Sequence, residues 1–212
     1  MNFQTLKQNY IKGLLDTKTI LIKSINEKPF TLRSGRESYM FFDHSKLATN
    51  PSAYKAFIDA IQFLLQETYG NNDFILCNVD SKISAQMIGS VAYNLDKPQI
   101  IYKSLALVKV EKGTQRQMTG NANWDMPVAL LDDVSTGKDG TAKNVGDLVK
   151  ETFPKITDVQ IFVGFIRGLT KTTYKMHYLV TQEELLRIVW NSLKPEQQQA
   201  IEKEKHCNNL FH

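Results

Sequence analysis

Apolar positions along this chain follow two rhythms. Between Leu6 and Leu15, and again between Ala53 and Tyr69, they recur every three or four residues. In the second segment Phe57, Ile61, Leu64 and Leu65 share one face, so both segments are predicted to be amphipathic helices. Gly70-Asn71-Asn72-Asp73 marks the end of the second. Short apolar runs then appear at Phe74–Cys77, Gln99–Tyr102, Val128–Leu131 and Val159–Phe165, the pattern of strands buried on both faces of a parallel sheet. Ser84–Leu95, ending near Lys97-Pro98, and Thr141–Phe153 carry helical spacing between them. Ala106–Val110 fits a further strand, followed by a polar stretch from Glu111 to Asn123. From Gln182 the pattern is helical, becoming charged and Gln-rich after Pro195, and Lys203–His212 is expected to fray. Repeated strand–helix units predict an α/β fold with a parallel sheet covered on both faces and right-handed crossovers. Ligands of such sheets sit beyond the carboxyl ends of the strands, where Asp132, Asp133 and the turn from Asn78 to Lys82 fall.

Composition narrows the class. A chain of 212 residues, 42% hydrophobic and 23% charged, has enough material for one α/β domain with a sizeable core. A net charge of +4 suits an anionic small molecule, and no Lys/Arg block resembles a nucleic-acid arm, so no nucleic-acid partner is expected. Cys77 and Cys207 lie far apart, without metal-ligand spacing. The N-terminal residues lack an apolar signal core, and no apolar run is long enough to span a bilayer. A cytoplasmic location and no membrane partner are therefore expected. His44, His177, His206 and His212 show no spacing that suggests a metal site or a triad.

The densest chemistry lies in Val128-Ala129-Leu130-Leu131-Asp132-Asp133-Val134-Ser135-Thr136-Gly137-Lys138-Asp139-Gly140-Thr141. A buried strand, two carboxylates, a small-residue turn and a helix start suit a phosphorylated sugar. Turn amides and a helix N-terminus bind phosphate, while carboxylates accept ribose hydroxyls or organise Mg²⁺. Alone, the pattern also fits an ordinary strand followed by a polar turn. A second segment, Pro29 to Asp43, contains Phe30/Leu32 and Met40/Phe42, read as two short strands joined by a Ser34-Gly35-Arg36 turn. Arg33 and Arg36 supply cations and Phe41-Phe42 flat apolar surface, the two things a planar anionic heterocycle needs. A basic hairpin over a buried aromatic pair explains the same residues.

The two segments together resemble the orotate phosphoribosyltransferases, a branch of the type I phosphoribosyltransferases. Val128–Thr141 is similar to the family's phosphoribosyl-pyrophosphate (PRPP) motif. Phe30–Arg36 with Phe41-Phe42 is similar to its N-terminal signature, with Arg33 where the family has Lys. The resemblance covers about residues 5 to 190. It implies a type I phosphoribosyltransferase-like parallel sheet flanked by helices. An N-terminal hood would occupy about 1–50, the core about 53–190 and a helical tail about 195–212.

The resemblance also implies transfer of ribose 5-phosphate from PRPP to orotate, with Mg²⁺ carried by PRPP and no direct protein ligand to the metal. Asp132 and Asp133 are expected at the ribose hydroxyls. Ser135, Thr136, Gly137, Gly140 and Thr141 are expected around the 5′-phosphate, and Arg33, Phe41, Phe42 and Arg167 at the base. Lys82 would face pyrophosphate in a loop where Asn78 and Ile83 stand in place of the family's glycines. Lys103, Lys109 and Lys112 would sit in a mobile catalytic loop between Tyr102 and Gly120, with Lys112 where the family has His. Ile166 replaces the Asp that usually precedes Arg167. A homodimer is implied by resemblance alone. Transfer to a different base, or ligand sensing without turnover, are the alternatives these departures suggest.

Overall fold

The computed structural model describes residues 2–32, 35–79, 81–106, 114–120, 125–135, 140–168 and 172–207, with 82, 101–106, 114–117 and 205–207 described by backbone only. Helix α1 (Phe3–Asp16) starts at Asn2, whose side chain accepts from the Thr5 amide, and buries Leu6, Tyr10, Gly13 and Leu14. That stripe packs on α2 (Pro51–Tyr69), where Gly13 lies so close to Ala53 that a Cβ would sit 3.0 Å from the alanine methyl. α1 thus packs into the main core, in the same cluster as Met40 and Phe42. α2 begins two residues before the expected Ala53 because Asn50 caps the amides of Ser52 and Ala53, and Pro51 supplies a helix-ready φ.

The segment expected to form a hood holds four short strands: β1 (Ile20–Ile22), β2 (Phe30–Thr31), β3 (Glu37–Ser38) and β4 (Met40–Phe42). Its pairing differs from the expected hairpin. β2 pairs with β3, Phe30 opposite Ser38, and β4 pairs antiparallel with β1, Met40 opposite Ile22. The cause is the tightness of the turn. Leu32 N donates to Arg36 O, Gly35 N donates to Leu32 O, and Gly35 takes φ 78°, so the returning strand meets β2 well before Met40. Met40 and Phe42 are then released to the apolar Ile20–Ile22 run, which the hydrophobic pattern alone did not single out.

Six strands form the central sheet, in the order β10-β9-β8-β5-β6-β7. β5 (Ile75–Asn78), β6 (Gln99–Ala106), β8 (Val128–Ser135), β9 (Val159–Ile166) and β10 (Met176–Thr181) are parallel, and β7 (Thr114–Thr119) is the antiparallel edge. β7 lies inside the stretch expected to be a polar loop. Its largely polar Thr-Gln-Arg-Gln-Met-Thr sequence lacks the apolar run of a central strand, yet an edge strand needs only one partner and tolerates polar side chains. The proposed strand Ala106–Val110 is β6 up to Ala106, and 107–110 lie outside the described residues.

Helices α3 (Lys82–Leu95) and α4 (Thr141–Thr152) cross over between strands, and α5 (Gln182–Val189) follows β10 through a Thr181/Glu184 capping box. α6 (Pro195–Cys207) ends the described chain. Side-chain alternation along β8 splits the core. Ala129 and Leu131 face the cluster with α1 and α2, while Val128 and Leu130 face the cluster with α4. β5 continues to β6 on one side and has β8 on the other, so the sheet's switch point lies between the carboxyl ends of β5 and β8. Among the described residues no helix is long and apolar enough to cross a membrane.

Candidate active site at the carboxyl ends of β5, β8 and β9

β8 delivers Asp132 and Asp133 to the switch point. Consecutive strand residues point to opposite sheet faces, and Asp132 Oδ1 accepts from the Asp133 amide at 2.9 Å, which fixes the local turn. Asp133 faces the α1–α2 side. Its Oδ1 accepts from Ser81 Oγ at 3.0 Å, and its Oδ2 lies 3.6 Å from Nδ1 of His44. That separation is an ion-pair distance rather than a closed hydrogen bond. Burial by itself pushes the Asp133 carboxyl up, but His44, the Asp132 contact and Ser81 outweigh it and hold the pKa below the ordinary carboxylate value.

Two serines join the β5–α3 turn to β8. Ser81 is the N-cap of α3, accepting from the Ser84 amide, and donates to Asp133. Ser84 Oγ donates to Leu131 O at 2.6 Å and accepts from the Val79 amide at 2.7 Å. Sequence reasoning missed both, although Ser-x-x-Ser at a strand-to-helix turn is a cap signal. Lys82, expected at pyrophosphate, is the first residue of α3, and its backbone therefore stands beside this turn.

After β8, Ser135 is buried and its carbonyl accepts from the Arg167 amide at 2.9 Å. Gly140 caps α4 without a side-chain acceptor, Thr141 opens the helix, and its first turn carries no acidic residue. Such an end suits an anion. Thr136 and Gly137 fall in 136–139, outside the described residues, as do Arg33, Lys109 and Lys112. Lys103 lies on β6 opposite Gln117 of β7, so this part of the expected mobile loop is an antiparallel ribbon.

The base-binding expectations divide. Phe41 is half-buried and its ring lies 5.4 Å from that of Phe30, which carries the Lys23 ammonium 4.3 Å above its centroid. Phe42 departs from expectation. It is a core side chain, 6% exposed, stacked on Phe165 at 4.0 Å and 9°. The β1–β4 pairing turns Met40 and Phe42 inward and leaves Phe41 on the other face. Arg167 reaches the hood: Nη2 donates to Met40 O at 3.2 Å and Nη1 to Ser38 Oγ at 3.4 Å. Burial lowers its pKa, partly countered by Glu204.

Glu204 corrects the expectation of a frayed tail from Lys203. α6 continues to Cys207, Glu204 Oε1 accepts from Ser38 Oγ at 2.8 Å, and Oε2 accepts from the Tyr39 amide at 2.9 Å. Those two bonds tie the tail to the hood; 208–212 lie outside the described residues. Glu204→Ala is expected to cost about 1–3 kcal/mol, seen as a lowered Tm.

No family model matches the chain. It is 27% identical over 190 residues to the orotate phosphoribosyltransferase of Pyrococcus furiosus, covering 85% of this chain and 95% of that one. Among solved structures it resembles the orotate phosphoribosyltransferase of Aeropyrum pernix, with a TM-score of 0.62 and 19% identity over 85% of this chain and 97% of that one. It also resembles Leishmania donovani UMP synthase, with a TM-score of 0.63 and 16% identity, spanning 92% of this chain but 41% of that longer one. The chain has the fold of the type I phosphoribosyltransferases. The curated relatives in these comparisons are orotate phosphoribosyltransferases.

Proposed function

We propose that this chain is an orotate phosphoribosyltransferase, converting orotate and PRPP to orotidine 5′-monophosphate and pyrophosphate in pyrimidine biosynthesis. The observation that carries the reading is the acidic pair at the switch point, anchored by Ser81 and followed by a glycine-capped helix start. Asp132 and Asp133 hold the ribose hydroxyls, and the turn from Ser135 to Thr141, with Thr136, Gly137 and Gly140, takes the 5′-phosphate. Phe41, Arg33 and Arg167 define the base end. Lys82, Lys103, Lys109 and Lys112 neutralise the departing pyrophosphate. N1 of orotate bonds to the anomeric carbon as the bond from that carbon to the pyrophosphate oxygen breaks, pyrophosphate leaving with the electron pair and the N1 proton passing to solvent, through an oxocarbenium-like centre that needs no protein nucleophile. The protein's contribution is orientation and charge stabilisation.

Mg²⁺ enters as the PRPP complex. Among the described residues no group of three or more His, Cys, Asp or Glu is arranged to hold a metal ion, and an ion carried on a diphosphate needs no such group. A cytoplasmic homodimer completes the reading. Incubation with PRPP, Mg²⁺ and equal concentrations of orotate, adenine and hypoxanthine tests it. Orotidine 5′-monophosphate is expected as the dominant product, and a purine nucleotide as the main product would reject the assignment. Sedimentation at micromolar concentration checks the dimer.

A further inference from the structure

His44 does not belong to any motif recognised in the sequence, yet it lies behind the acidic pair. It opens the 3₁₀ segment His44–Thr49 that links the hood to α2. Its side chain is 0% exposed, whereas Asp133 keeps 16% of its own, so a ligand can meet the carboxylate and not the imidazole. Nε2 is 2.9 Å from the hydroxyl of Tyr10, a residue of α1 that is itself fully buried. Nδ1 makes no hydrogen bond to the described residues, and Asp133 Oδ2 is 3.6 Å from it. Phe42 and Phe57 flank the ring at 5.3 and 4.6 Å between centroids and prevent it from turning away.

Space for this arrangement comes from β9. Asp132 and Val134 pair with Val163 and Phe165, so Gly164 is the β9 residue beside Asp133. A Cβ there would meet Tyr10 Oη at 2.7 Å and His44 Cε1 at 3.0 Å. Glycine in a strand interior commonly marks close approach of another group. Here that group is the Tyr10–His44 pair.

We propose that His44, oriented by Tyr10, is a positioning residue for the ribose-binding carboxylate Asp133. Burial keeps the Tyr10 phenol protonated, its pKa raised first by desolvation and then by the Asp133 charge. With the phenol O–H donating to Nε2, the ring proton sits on Nδ1, facing Asp133. Ser81 holds one carboxylate oxygen and His44 faces the other, so the rotation of the group is set from two sides before substrate arrives. A preset carboxylate loses less freedom on binding two hydroxyls. The proposal rests on the reading of Asp133 given above.

Calorimetric titration with Mg–PRPP alone, without a base, tests it. The proteins compared are the wild type, His44→Phe, His44→Asn, Asp133→Asn and the double variant His44→Phe/Asp133→Asn. His44→Phe retains the aromatic volume and removes Nδ1; His44→Asn places an amide donor near the Nδ1 position. Loss of one oriented, charge-assisted contact predicts an approximately 10-fold weaker Kd for His44→Phe, most of it recovered in His44→Asn. In the Asp133→Asn background, His44→Phe should add less than about 2-fold, because residues acting through one another are non-additive. Full additivity, or an unchanged Kd in folded His44→Phe, would overturn the proposal. Should His44→Phe not fold, Tyr10→Phe decides the same point, with an approximately 3-fold weaker Kd expected and an unchanged one contradicting it. Because the titration contains no base, failure of the orotate assignment leaves this result readable. A wild type that binds no PRPP would overturn both.

Discussion

Asp133→Asn is expected to lower kcat/KM for PRPP by about 100-fold, the cost of losing charge-assisted bonds worth about 1.5–3 kcal/mol. The size follows from the position. Asp133 is the carboxylate held by Ser81 at 3.0 Å with His44 behind it, and its side chain retains a small accessible part at the switch point. Asparagine keeps the shape and can still accept from Ser81, so the fold should survive while the charge proposed to grip the ribose hydroxyls is lost. Steady-state kinetics with varied PRPP, beside a melting curve, separates these effects. A retained kcat/KM in a folded variant would remove Asp133 from the ribose site.

A pH dependence accompanies this variant. The folded-state pKa of Asp133 is depressed, so its contribution to stability is complete above the ordinary carboxylate value of about 4 and is lost as pH falls through the folded-state pKa. The Tm difference between wild type and Asp133→Asn should therefore be constant near neutrality and shrink in acid.

The second large effect is expected at Gly164. A methyl group there would lie 2.7 Å from both Phe57 Cε2 and Tyr10 Oη and 3.0 Å from His44 Cε1, in a core where each of these side chains is buried. None is the free end of a flexible surface chain, so the strain must go into displacement of α1, of α2 or of the imidazole. Gly164→Ala should cost about 2–3 kcal/mol by overpacking. In a domain of this size that lowers Tm by about 4–12 °C. Thermal melting measures it, and a Tm within about 1 °C of wild type would mean that the space beside Asp133 is looser than the packing indicates. PRPP affinity should fall as well, because the Tyr10–His44 pair must move to admit the methyl. Gly146→Ala provides a control for crowding remote from the acidic pair: its Cβ would meet the Tyr174 ring at 2.7 Å on the α4 side of the sheet.

Much of the architecture was legible in local patterns. Apolar runs at Phe74–Cys77, Val128–Leu131 and Val159–Phe165 are strands, at Ile75–Asn78, Val128–Ser135 and Val159–Ile166, because a strand buried on both faces has no polar side to show. The acidic pair, the glycine before Thr141 and the helix after it are contiguous, so the proposed ribose and phosphate ends of the site follow one another along the chain. Local caps also decide helix ends, and Asn50-Pro51 starts α2 ahead of the expected Ala53.

Other features depended on partners distant in sequence. The assignment of Met40–Phe42 to β1 rather than to β2 was decided by the tight Leu32–Arg36 turn, and that pairing sends Phe42 into the core against Phe165. β7 exists because β6 offers it an edge, not because its own residues demand a strand. Glu204 was read as tail until α6 carried it to Ser38 and Tyr39. His44, Tyr10 and Gly164 have no common local pattern. Only the packing of α1, the 3₁₀ segment and β9 brings them behind Asp133, since a contact between side chains so far apart in sequence is a property of the whole sheet and not of any segment.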